Sequence, residues 1–129
     1  MSKLALSLYA LVLVLSASAV SAADAPAGKT KLVHVVALKF KEGAAEADIK
    51  KIQDAFRDLK AKIPEVAAYE GGSNVSKEGK DKGFQHCAVL SFKSQKDLDT
   101  YVAHAAHQDF VKTLGGAGVV DAFVFDYWE

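Results

Sequence analysis

Apolar and polar positions recur with two different rhythms along the chain, and the change of rhythm divides it into elements. Leu32–Phe40 (LVHVVALKF) is rich in β-branched and large apolar side chains and holds no turn residue, which is the composition of a strand. Strand side chains alternate between faces, so Leu32, His34, Val36, Leu38 and Phe40 share one side, and Val33, Val35, Ala37 and Lys39 the other. Over Ala45–Ile63 the rhythm changes. Ile49, Ile52, Phe56, Leu59 and Ile63 recur at spacings of three and four, the stripe of an amphipathic helix. Pro64 ends it, because the residue before a proline disfavours the α region.

The period of two returns in Val66–Val75, interrupted by Gly71-Gly72, and in His86–Phe92, with a polar loop at Ser76–Gly83 between them. Ser94 with Asp97 three residues on is a capping box that opens a second helix. Leu98, Tyr101, Val102 and Ala105 are its apolar stripe. A further helical piece runs from His107 to Leu114 and ends at Gly115-Gly116, and Val119–Tyr127 is a last strand. The order strand, helix, strand, strand, helix, strand predicts an α+β, ferredoxin-like fold: an antiparallel sheet with helices on one face. The strands carry apolar residues on both faces, so the uncovered face predicts a two-fold homodimer in which two sheets meet as a barrel. Val33, Val35 and Val89, opposite the histidines, are candidates for that interface. Which face meets the helices is left open by the pattern.

The chain opens differently. Lys3 is followed by the apolar run Leu4–Leu15 and then by small residues to Ala23. Charged, apolar, small is the order of a secretory signal peptide, and the run is too short to span a bilayer, which takes about 20 residues. Residues 1–22 are expected to be this signal, 23–30 a flexible leader, and 31–129 the folded domain. The expected location is secreted or periplasmic, with no membrane attachment after cleavage.

Composition narrows the function without naming it. The 129 residues suit one domain, and 16 basic against 16 acidic side chains leave no electrostatic footprint for nucleic acid or an anionic membrane. The lone cysteine, Cys87, excludes an internal disulfide and reads as a small hydrophobe within a strand. The four histidines are His34, His86, His104 and His107. With Tyr101 they could move protons at a carbonyl compound. The plainer reading is that they tie a strand to a helix end by hydrogen bonds; a metal site is the third. No HxH or HExxH pattern is present, so no metal ligand is assigned, and no cofactor is implied.

Several stretches resemble one family: Val33–Lys41, Leu59–Pro64, Asn74–Gly79, Lys82–His86, Tyr101–His107 and Val124–Tyr127. Together, in this order, they are similar to the stress-responsive A/B barrel (Dabb) family. The resemblance implies the ferredoxin-like fold and a barrel homodimer. A plant polyketide cyclase of the family places its catalytic tyrosine at Tyr101, its catalytic histidine at His107 and pocket histidines at His34 and His86. Val36, Leu38, Phe56 and His104 complete the candidate ligand-binding set, for a small hydrophobic or carbonyl-containing ligand. The chain departs from the pattern at Ala105, where the family has proline, and at Gln53 and Gly118, where the cyclase has aromatic residues. The expectation is therefore an exported small-molecule-binding or stress-response homodimer with no assigned reaction. The alternative is a cofactor-independent lyase, cyclase or isomerase built on the His107–Tyr101 pair. A filled interior favours the first, and an open pocket with His34, Tyr101 and His107 converging favours the second.

That pair makes a geometric demand. Six residues apart on one continuous helix, Tyr101 and His107 would sit about 240° apart around the axis. They can enter one pocket only if the helix breaks near His104-Ala105-Ala106.

Overall fold

A computed structural model describes residues 25–129 of the chain. The expected signal segment, residues 1–22, lies outside the described residues. Of the expected leader, 25–30 is described: the Lys29 amide donates to the Pro26 carbonyl, and the Thr30 amide to the carbonyl of Glu129.

The elements are β1 (Leu32–Phe40), α1 (Glu46–Lys62), β2 (Ala68–Ser73), β3 (Phe84–Phe92), α2 (Gln95–Ala103), α3 (Ala105–Leu114) and β4 (Val119–Trp128). The strands form one antiparallel sheet in the order β2-β3-β1-β4, the ferredoxin-like α+β arrangement read from the sequence. The helices cover one face. Among the described residues, no helix is long and apolar enough to cross a membrane.

Burial decides which face the helices take. Leu32, His34, Val36, Leu38 and Phe40 of β1 are all buried, as are His86, Ala88, Leu90 and Phe92 of β3. Facing them are Ile52, Phe56 and Leu59 of α1, Leu98 and Tyr101 of α2 and Phe110 of α3. Each large apolar side chain removed from water here contributes about 1.5–3 kcal/mol. The Phe56 ring joins three elements, with centroids 4.8 Å from Phe110 and 5.8 Å from Tyr69. α1 ends at Lys62, with Ile63 already extended before Pro64. The Ser94 hydroxyl accepts the Asp97 amide at 3.0 Å, the cap that starts α2.

The other face of the sheet carries Val35, Cys87 and Val89, half-buried, and an aromatic row on the edge strand β4. Phe123, Phe125 and Tyr127 of that row are 52%, 55% and 44% exposed. The rings of Phe123 and Phe125 lie nearly parallel, 6.4 Å apart. The register sets Val33 opposite Tyr127 and Val35 opposite Phe125. The face opposite the histidines is therefore the uncovered one except at Val33, an expected interface residue that is already buried within the chain.

Candidate functional site

One cavity of about 360 Å³ opens between the sheet and the helices α2 and α3. His34, Tyr101 and His107 form its polar corner. Val36 and Leu38 of β1, Phe56 of α1 and Phe110 of α3 wall it, and Val111, Leu114, Ala122 and Val124 form the rim. No lysine, arginine, aspartate or glutamate lines it.

Each polar residue comes from a different element. His34 reaches inward from β1 by the strand alternation. Register sets it opposite Asp126 of β4, and its Nδ1 lies 2.6 Å from Asp126 Oδ1. A carboxylate accepts, so Nδ1 carries the proton and Nε2 is left free. Tyr101, on α2, is fully buried. Its ring centroid is 5.9 Å from that of His34 and 4.5 Å from that of His107. The Tyr101 hydroxyl has no hydrogen-bond partner among the described residues. Burial pushes its pKa far above the usual phenol range, so the group is a neutral donor with no acceptor among the described residues.

His107 enters the same corner because the helix breaks. His104 is extended, with ψ 139°, and separates α2 from α3. The break turns α3, so that His107 meets Tyr101 rather than pointing away from it. The carbonyl of Val102, freed at the end of α2, lies 2.9 Å from His107 Nδ1 and also accepts from Gln108 Nε2 at 2.7 Å. A carbonyl only accepts, so Nδ1 again holds the proton and Nε2 is the basic nitrogen. Burial lowers the His107 pKa, against a smaller opposing pull from the Val102 carbonyl, and the His34 ring lowers it further. The neutral imidazole is the favoured form, which is the form a general base needs.

The structure therefore brings six of the eight sequence-proposed residues to one cavity: His34, Val36, Leu38, Phe56, Tyr101 and His107. His86 and His104, expected as ligand contacts, do not line it. His86 is buried opposite Leu38 on β3, with both ring nitrogens unpartnered among the described residues, and burial lowers its pKa. His104 turns its Nδ1 to the backbone instead, 3.0 Å from the Ala106 amide. Asp126 was missed from the sequence. The signal was an acid in the apolar strand VVDAFVFDYW, two positions from Val124 on the face that pairs with His34. Among the described residues, no group of three or more His, Cys, Asp or Glu side chains could hold a metal ion. A larger groove of about 440 Å³ lies outside, between α1 and α3, lined by Ala55, Leu59, Lys62 and Asp109 among others; it holds no cluster of histidines or tyrosines.

An open cavity with a histidine–tyrosine corner, between a four-stranded antiparallel sheet and its helices, defines an α+β, ferredoxin-like domain with a ligand-sized cavity. The profile of the Stress responsive A/B Barrel Domain (Dabb) matches residues 32–129, and the chain belongs to that family. It is similar to the stress-response A/B barrel domain-containing protein HS1 of Arabidopsis thaliana, 28% identical over 99 residues, covering 77% of this chain and 90% of that one. It is also similar to olivetolic acid cyclase of Cannabis sativa, 29% identical over 77 residues, covering 60% and 76%. Among solved structures, a hydroxynitrile lyase from Passiflora edulis superposes with a TM-score of 0.71 at 20% identity, covering 78% of this chain and 94% of that one. A dimeric ferredoxin-like protein from Thermobifida fusca superposes at 0.67 with 14% identity, covering 79% and 93%. These two structures share the fold; further neighbours are likewise described as dimeric.

Proposed function

We propose that the chain is an acid–base enzyme of the lyase or cyclase type, acting on a neutral, largely apolar carbonyl compound. The observation that carries this is the Tyr101 hydroxyl: fully buried and without a partner, beside an imidazole whose tautomer leaves Nε2 basic. An orphaned buried donor costs about 1–3 kcal/mol; the hydroxyl is closed to water in the free protein, and a ligand carbonyl oxygen that displaces its cover from the cavity side would satisfy it. Tyr101 would then polarise that carbonyl, while His107 Nε2 takes a proton from the adjacent carbon. His34, held by Asp126, supplies a second nitrogen to the same corner. The open pocket with its three converging residues favours this reading over a binding or stress-response role without chemistry. The absence of charged side chains from the lining favours neutral substrates over phosphorylated or carboxylated ones. Similarity to a cyclase is in keeping with it.

The working form proposed is a homodimer joined through the uncovered sheet face, supported by the exposed aromatic row of β4 and by dimeric neighbours. Export is proposed from the order of residues 1–22, and the intact mass of the protein from its own host would test it: a mature chain beginning near Ala23 supports export, and a retained N-terminus opposes it.

The site reading is tested by adding an alkyl-substituted β-diketone to the labelled protein and following amide shifts. Perturbations at Val102, Phe110, Val111 and Val124 are expected. Their absence, or perturbations confined to the outer groove between α1 and α3, would overturn the assignment of this cavity as the substrate site.

A further inference from the structure

The break between α2 and α3 is made by one residue, and its side chain takes part. In an unbroken helix the Val102 carbonyl would accept the Ala106 amide, four residues on. Here that amide donates instead to His104 Nδ1, at 3.0 Å. The backbone of His104 completes the exchange: its amide donates to the Tyr101 carbonyl, and its own carbonyl accepts the Gln108 amide. Val102's carbonyl is thereby released, and it is this carbonyl that receives the His107 Nδ1–H.

We propose that His104 is a positioning residue for His107: its neutral imidazole captures the Ala106 amide, and so frees the Val102 carbonyl that fixes the His107 tautomer. A proline at Ala105 would break the helix by forcing the residue before it out of the α region; here the His104 side chain holds the break by accepting the Ala106 amide. Nδ1 accepts only when it carries no proton. The Ala106 amide is thereby held away from the Val102 carbonyl, which stays available to the His107 ring. Among the described residues, the Ala106 amide is the one hydrogen-bond partner of the His104 ring. The role of His107 as base comes from the proposed function; the positional claim itself does not depend on turnover.

Nitrogen NMR of the ring-labelled protein tests it without any substrate. In the wild type at neutral pH, His107 is expected as the Nδ1–H tautomer. H104A should shift it towards the Nε2–H form that free imidazole prefers, and exchange of the Ala106 amide should rise roughly fivefold, the value of a lost cap. H104N, whose side-chain oxygen caps without titrating, should keep the wild-type tautomer. Should H104A fail to fold, the wild type and H104N decide alone. A wild type whose His107 is the Nε2–H tautomer at neutral pH overturns the proposal, as does an H104A protein that keeps the Nδ1–H form or an H104N protein that loses it. A protein that passes this test yet turns over no carbonyl compound would fail the catalytic reading and leave the positioning role standing.

Discussion

His34 Nδ1 lies 2.6 Å from Asp126 Oδ1, across one rung of the β1–β4 ladder. The strand register, and no loop, sets this contact. It orients the ring, whose centroid lies 5.9 Å from that of Tyr101. Replacing Asp126 by Asn offers the ring either an amide donor or a weaker acceptor and loosens its tautomer. The expected result is a loss of kcat of about tenfold or more, the direction seen when a catalytic histidine loses its orienting carboxylate. Melting temperature should scarcely change, because the Asp126 side chain is 40% exposed. Steady-state kinetics beside a thermal melt checks both halves.

Tyr101 separates activity from stability in a different way. Its hydroxyl is buried and unpartnered in the free protein. Tyr101→Phe removes a polar atom that the fold does not satisfy, so the variant is expected to be as stable as the wild type or more so, by up to about 1–3 kcal/mol. Turnover should fall by about 10²–10³-fold, the value of a lost oxyanion donor. Denaturant unfolding at fixed pH and kcat on the same preparations would show it. A destabilised Phe variant with full activity contradicts the role given to the hydroxyl.

Both His107 and His86 are held below the ordinary histidine pKa of 6.5, chiefly by burial. A group whose pKa is lower folded than unfolded binds more protons unfolded, so its contribution to stability is present above pH 6.5 and is lost as pH falls through the folded value. The urea midpoint should therefore be flat from pH 8 to about 7 and fall below about 6.5. His86→Gln should flatten that fall while leaving the acid limb of kcat/KM, which belongs to His107, in place. An unchanged slope in the variant counts against burial of His86 as its cause.

Phe125 lies in the middle of the exposed row of β4, 55% exposed on the uncovered face. Phe125→Asp puts a charge where the proposed sheet-to-sheet contact buries a ring. Sedimentation at micromolar concentration should read a dimer for the wild type and a monomer for the variant. A wild-type monomer, or a dimer untouched by the substitution, removes this face as the interface.

Much of this architecture is legible in local rhythm. The spacing of Ile52, Phe56 and Leu59 placed α1, and the alternation of β1 placed His34 beside Val36 and Leu38. Ser94 and Pro64 marked helix boundaries within a residue or two. Which sheet face would be covered was not legible, since Val33 and Val35 are as apolar as Val36 and Leu38. The Asp126–His34 pair was hidden because cross-strand register is a tertiary property. The helix break was legible only as a condition at His104-Ala105-Ala106. Its usual signal is proline, and at Ala105 there is none. The break instead rests on the His104 side chain reaching a backbone amide, a competition that residue spacing alone does not reveal.

The central claim is that His107 and Tyr101 act together on a carbonyl compound in one cavity. Deuterium incorporation from D₂O into the carbon between the carbonyls of an alkyl β-diketone, followed by proton NMR, measures that chemistry without a product having to be known. The wild type is expected to accelerate exchange over buffer, and His107→Ala to lose about 10²–10⁴-fold of that acceleration while remaining folded, with Tyr101→Phe similarly impaired. Wild-type exchange no faster than buffer, or His107→Ala as fast as the wild type, would contradict it.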